Sequence, residues 1–321
     1  MSSPPPNKDP ATPGGNSFFA NASGTYNGLT LNHVGGHQHN NQNNSGRIIE
    51  NEGTYNENNN TANMQSLPED IKAACDEYFR PVVIELVGCS QDAWKLPSSQ
   101  ELQTGWTNVM PDDKKGQFSQ FGQAINKWVA DVIVDWQDSI GNTALEMLEG
   151  LFKDLSYADD KKRKKYVTQQ TGGNYWDHPY YYPSNSQQSN GQRTNIFQSP
   201  IVSKTLSVYF EATQNIPEDK RSKSRPIEAL VLTILAVKWA FDQWSTGNHS
   251  GSIKKFSEDS QKIKHTHIRA LFGKNQKGVD RVGSDLWDQI IAAAKSHVET
   301  PSTNTTQEDE SSGLPPDLTF S

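Results

Sequence analysis

From Ser66 onward the chain repeats apolar residues at helical spacing. Ile71, Ala74, Cys75, Tyr78, Phe79, Val82, Val83 and Leu86 fall at i, i+3, i+4 and i+7, which gathers them on one face. Ser66 and Glu69 stand at capping-box spacing ahead of that face. Pro81 predicts a kink, since its ring lacks an amide donor and crowds the carbonyl four residues back. Ser98 and Glu101 repeat the capping pattern before a short helix with Leu102, Trp106 and Val109 inward and Pro111 beyond. The clearest stripe is Phe121, Ile125, Trp128, Val129, Val132, Ile133, Trp136 and Ile140. Gly141-Asn142 is expected to stop it, with Leu145, Leu148, Leu151, Phe152 and Leu155 lining a separate helix.

Helix resumes near Pro200, carrying Ile201, Val202, Leu206, Val208, Tyr209 and Phe210. Pro226 fits a first helical turn. The helix behind it, Ile227 to Trp244, is apolar on nearly all sides and is expected at the centre of the fold. Two more helices are predicted at about 257–272 and 284–298. No strand alternation occurs between residues 66 and 300. The pattern predicts an all-α protein, an irregular multi-helix globular core with disordered N- and C-terminal tails.

Polar stretches divide the chain. Residues 1–65 are rich in Asn, Gly, Ser and Gln, and Gly24-Thr25-Tyr26-Asn27 recurs as Gly53-Thr54-Tyr55-Asn56. Such a leader buries too little apolar surface to offset its ordering entropy, so disorder is expected. An acidic tail, 301–321, is expected to behave likewise. Within the helical domain, 66–300, a polar, basic and Tyr-rich segment at about 156–195 reads as an insertion loop or linker.

Composition agrees with this division: 33% of residues are hydrophobic, below the roughly 45–50% usual for globular domains. The net charge of −7 hides an asymmetry, with about −8 over residues 66–155 and +7 over 156–300. The two halves either attract each other within the fold or offer a basic surface to a polyanion. Cys75 and Cys89 are too few for a disulfide-stapled fold and fit a reducing compartment. The chain opens on polar residues, and its longest aliphatic run, Ala229 to Val237, is far short of the roughly 20 residues that span a bilayer. An intracellular protein, cytoplasmic or nuclear and without a membrane partner, is expected.

His33, His37 and His39 lack cysteine or carboxylate partners at structural-zinc spacing. His265 and His267 point in different directions on a helix. Gly273 and Gly278 are followed by Val279 and Asp280, where a phosphate loop needs Lys and Ser or Thr. Neither cysteine has a neighbouring base. No enzyme, cofactor or metal site is expected. The suggestive feature is the run Lys161, Lys162, Arg163, Lys164 and Lys165, which has the character of a nuclear-import signal or a phosphate-contacting patch. Lys220, Arg221, Lys223 and Arg225 form a second cluster, interleaved with Ser222 and Ser224. Tyr166, Tyr175, Trp176 and Tyr180 to Tyr182 are aromatics of the kind that stack on exposed bases.

Pro200-Ile201, the helix Pro226 to Phe241, its ending Trp244-Ser245-Thr246-Gly247, then Phe256 and Leu271-Phe272 carry a resemblance. Over Ile196 to Phe272 the chain resembles a domain of unknown function common in mushroom-forming fungi, with Trp94-Lys95-Leu96-Pro97 and Trp106 similar to its amino-terminal part. The Gly-Thr-Tyr-Asn repeat and Val34-Gly35-Gly36-His37-Gln38 are similar to polar leaders on fungal signalling-type proteins. The resemblance implies a helical fold and no known activity. Two functions are expected: a non-enzymatic module that binds another protein, or a nuclear, nucleic-acid-associated protein that uses the basic second half.

Overall fold

The computed structural model describes residues 66–173, 177–184, 186, 193–250, 255–274 and 277–298. The readings of the leader and the acidic tail lie outside these residues. Helix α1, Glu69–Ala74, passes through a π turn, Cys75–Phe79, into α2, Arg80–Gly88. The predicted kink at Pro81 is thereby absorbed: widening the turn just before the proline accommodates its missing donor and its ring. The Ser66–Glu69 box does not form, because Pro68 takes the N-cap position and makes no side-chain cap. The second box does form. Ser98 N donates to Glu101 Oε2 at 2.8 Å and Glu101 N donates to Ser98 Oγ at 3.3 Å, opening α3, Ser99–Val109.

A short α4, Asp112–Lys115, precedes α5, Phe118–Phe152, which runs for 35 residues. Gly141 therefore does not stop the helix. The aromatic side chain of Phe256 lies where a Cβ at Gly141 would be, at 3.1–3.3 Å, so this glycine is a packing notch. After α5 come α6, Asp160–Thr171, a 3₁₀ turn at Pro179–Tyr181, and α7, Pro200–Thr213, N-capped by Ser199. A second 3₁₀ turn, Glu218–Lys220, leads to α8, Ile227–Gln243. The final elements are α9, Glu258–Arg269, with a 3₁₀ turn at Ala270–Phe272, and α10, Ser284–Lys295.

As its pattern requires, α8 is buried on nearly every side, and α5, α7, α9 and α2 wrap it. The periphery is held by α10 against α7 and by α3 beneath the π turn. Trp106 is fully buried there, edge-on to Phe79 at 5.3 Å, and donates Nε1–H to Lys114 O at 3.2 Å. Among the described residues there is no strand, only an isolated bridge between Lys274 and Asp280. No helix among them is long and apolar enough to cross a membrane.

The segment read as a linker differs most from expectation. Its described residues contain α6, and Val167, Tyr180 and Tyr181 join the same buried cluster as α5, α7 and α8. Polar composition hid this, because the helix alternates inward and outward positions inside a charged run.

Candidate functional site

The five cations of the basic run sit in the first half of α6. Asp159 caps the helix, its Oδ1 accepting from Lys162 N at 2.7 Å. Inward positions then fall at Arg163, Tyr166, Val167 and Gln170, the i, i+3, i+4, i+7 series. Arg163 is thus separated from its neighbours. Its Nε donates to Gly247 O at 2.6 Å, and Nη1 donates to Tyr157 O at 2.9 Å and Ala158 O at 3.1 Å. Its Nη2 donates to Asn248 Oδ1 at 3.3 Å, and the guanidinium lies over the Trp244 ring at 5.8 Å. A planar fork of donors suits this cluster of acceptors, which an ammonium would not span.

The same clamp accounts for the ending Trp244-Ser245-Thr246-Gly247. Gly247 has φ +90, a left-handed conformation that favours glycine. A Cβ there would lie 2.0 Å from Asp160 O, so the N-terminus of α6 seats directly on this turn. Phe152 lies edge-on to Trp244 at 4.9 Å and in turn meets Tyr157 and Tyr166, extending the joint as an aromatic cluster.

Lys161, Lys162, Lys164 and Lys165 remain exposed on the outer face. Among them, Lys162 pairs with Asp159 at 4.0 Å. The structure does not join this face to the second cluster. Arg163 meets the turn after the C-terminus of α8, whereas Lys220 to Arg225 precede its N-terminus. The 17 residues of α8 separate them by about 25 Å at 1.5 Å per residue. In the second cluster Arg221 donates Nη2–H to Thr213 O at 3.0 Å and Gln214 O at 2.9 Å, closing the C-terminus of α7. Arg225 lies over Trp287 at 6.0 Å, and Lys220 pairs with Asp219 at 3.6 Å. Lys223 is exposed.

The aromatics expected to stack on bases point elsewhere. Tyr180 and Tyr181 are buried, and Tyr166 is packed between Phe152, Tyr157 and Phe241. Desolvation pushes the Tyr166 hydroxyl up to about 12. Tyr175 and Trp176 lie outside the described residues.

One polar centre has no counterpart in the sequence reading. Glu228, in the first turn of α8, is completely buried. Its Oε2 sits 2.7 Å from His265 Nε2 and accepts from Ala93 N at 3.2 Å, while Oε1 lies 2.5 Å from Arg269 Nε. Arg269 Nη2 also donates to Gln91 Oε1 at 3.0 Å, and Gln137 Nε2 donates to Ala93 O at 2.8 Å. The network joins α8, α9, α5 and the loop after α2. We read it as a staple. The sequence signal was an acidic residue directly ahead of an aliphatic run; its partners, about 40 residues downstream, give no local sign.

Cys89 ends α2 near Tyr209, with Sγ 3.7 Å from Tyr209 Oη. Burial raises the Cys89 thiol and the Tyr209 hydroxyl, and it also raises the nearby Glu85 carboxyl, whose Oε2 accepts from Ser222 N at 3.0 Å. A thiol held protonated is a poor nucleophile. Cys75 is buried, its thiol pushed up by desolvation to about 12. Among the described residues both cysteines are free, and no group of His, Cys, Asp and Glu is placed to hold a metal. His33, His37 and His39 lie outside the described residues.

Two concavities lie among the described residues. One, about 870 Å³, lies between the approach to α1 and the first turns of α5, with Leu67, Phe121 and Trp128 among its lining. The other, about 490 Å³, opens between α5, α6, the Tyr180 turn and α8.

A family model described as a domain of unknown function, DUF6532, matches residues 68–273, from the start of α1 to the turn after α9. No curated protein and no solved structure matches the chain. The Arg163–Gly247 joint, the Glu228 staple and the long α5 all lie within the matched span. The match covers more than half of the chain, which therefore belongs to the DUF6532 family of domains of unknown function.

Proposed function

We propose that this protein is a non-enzymatic protein-interaction module of the cell interior, whose outer α6 face docks an acidic surface of a partner protein. The observation that carries the reading is the division of labour within one basic run. Arg163 is committed to the fold, while Lys161, Lys162, Lys164 and Lys165 are held outward on a rigid helix. Lysines with one weak ion pair among them lose little on exchanging water for carboxylates, and they steer association over a Debye length. Two free, buried or half-buried thiols support a reducing compartment, cytoplasmic or nuclear.

The nucleic-acid reading has the same lysines in its favour. Against it stand the roughly 25 Å between the two basic clusters, the use of Arg163, Arg221 and Arg225 in packing, and the inward aromatics. A compact patch of four lysines suits a protein surface better than a tracked phosphate backbone.

The test is a titration of the full chain with labelled decaglutamate and a labelled 20-base-pair DNA, each at about 50 and about 200 mM salt. The comparison variant carries Lys161→Ala, Lys162→Ala, Lys164→Ala and Lys165→Ala and keeps Arg163. The proposal expects glutamate binding that the variant loses and DNA binding that is weak in both. DNA binding that falls about 150-fold between the two salts, as four phosphate contacts require, and disappears in the variant would move the assignment to nucleic acid.

A further inference from the structure

The second concavity is separate from the lysine face. We infer that it is a binding site for a small aromatic acid. Its volume of about 490 Å³ falls in the roughly 300–1,000 Å³ range of small-molecule sites. Met147 and Leu151 of α5, Ile201 of α7 and Phe241 of α8 form the apolar wall. Tyr166, Tyr180 and Tyr182 also line it, with the Gln170 amide and the hydroxyls of Ser184, Ser186 and Ser199 as further uncharged polar groups. Flat rings on several sides select a flat apolar body by stacking and edge contacts.

Charge then narrows the class. Among the described lining residues Arg193 is the one that carries charge. It lies over the Tyr182 ring at 5.5 Å and engages Asp177 only loosely, Nη1 standing 4.0 Å from Asp177 Oδ1 and 3.5 Å from Asp177 O. A guanidinium has five N–H donors in a fork that matches a carboxylate or sulfonate. Arg193 therefore has donors left for an anionic group at the edge of a chamber whose other polar lining groups are uncharged. A cation of the same shape would meet a like charge, and a neutral body would leave the fork unused. The rings are set by the fold: Ser199 caps α7 and donates Oγ–H to Tyr180 O at 2.6 Å, which ties the Tyr180 turn to the helix start.

The experiment uses 8-anilinonaphthalene-1-sulfonate as an aromatic anion and N-phenyl-1-naphthylamine as its uncharged analogue. The full chain, Arg193→Gln, Leu151→Trp and Trp128→Ala are titrated with both, and each variant's melting curve is recorded. The inference predicts one saturable anion site that Leu151→Trp fills and abolishes. Arg193→Gln weakens the anion about tenfold without changing the affinity for the amine, and Trp128→Ala, in the other concavity, leaves both unchanged. Equal affinity of the wild-type chain for the two probes would overturn the acidic class. A wild-type chain that binds neither, or anion binding untouched by both Leu151→Trp and Arg193→Gln, would overturn the site. If Leu151→Trp melts at a much lower temperature, Arg193→Gln and the probe comparison decide the matter.

Discussion

Replacing Arg163 by Ala separates the structural member of the basic run from its neighbours. Two of its bonds are short and well placed, to Gly247 O at 2.6 Å and Tyr157 O at 2.9 Å, and two are longer. Charged donors contribute about 1.5–3 kcal/mol per bond when buried. Arg163 is only half-buried, so solvent screening brings the expected value nearer to about 1 kcal/mol each. The Trp244 stack adds about 0.5–1 kcal/mol. The expected loss is therefore about 3 kcal/mol, on the order of 6–12 °C in melting temperature for a domain of this size. Lys164→Ala, one residue away and exposed, should stay within about 0.5 kcal/mol. Arg163→Lys should recover less than half of the loss, because one ammonium cannot reach the same acceptors. Urea unfolding followed by ellipticity at 222 nm measures all three. If Arg163→Ala proves as stable as Lys164→Ala, the clamp contributes nothing, and the run reverts to a uniform solvated patch.

Three further outcomes are expected. Glu228→Ala should cost about 3–5 kcal/mol in urea unfolding, since it strands His265 and Arg269 around a buried site; a cost under about 1 kcal/mol contradicts the staple. Gly247→Ala should cost about 2–4 kcal/mol, because positive φ strains alanine and its Cβ meets Asp160 O. Combined with Arg163→Ala its effect should be less than additive, as both open the same joint. Burial raises the Cys75 thiol from 9.0 to about 12 and the Tyr166 hydroxyl from 10.0 to about 12. Both neutral forms are favoured in the folded state, so this stability is complete below about pH 9 and is lost as pH rises toward 12. Denaturant midpoints should fall over that interval, and Cys75→Ala should flatten the part due to the thiol.

Much of the architecture was legible because helical periodicity is local. The stripe from Phe121 to Ile140, the Ser98–Glu101 box and the all-round apolar α8 each formed from residues within a few turns. What escaped was decided by distant partners. Gly141 carries every local mark of a helix end, yet the Phe256 ring fills its missing side chain and α5 continues. Glu228 reads as the polar edge of an aliphatic run until α9 brings up His265 and Arg269. Five consecutive cations concealed an inward position at Arg163, because identical charge hides a helical period. The tyrosines near residue 180 looked like exposed platforms for the same reason: a polar segment lends its character to whatever lies within it.

The central claim, that the outer face of α6 meets a protein, is tested most directly by a photo-crosslinker in place of Lys165. The chain is irradiated in a cell extract, with and without nuclease. Adducts that resist nuclease, succumb to protease and vanish when Lys161, Lys162 and Lys164 are changed to Ala are the predicted result. Nuclease-sensitive adducts, or protein adducts that persist without those lysines, would contradict it.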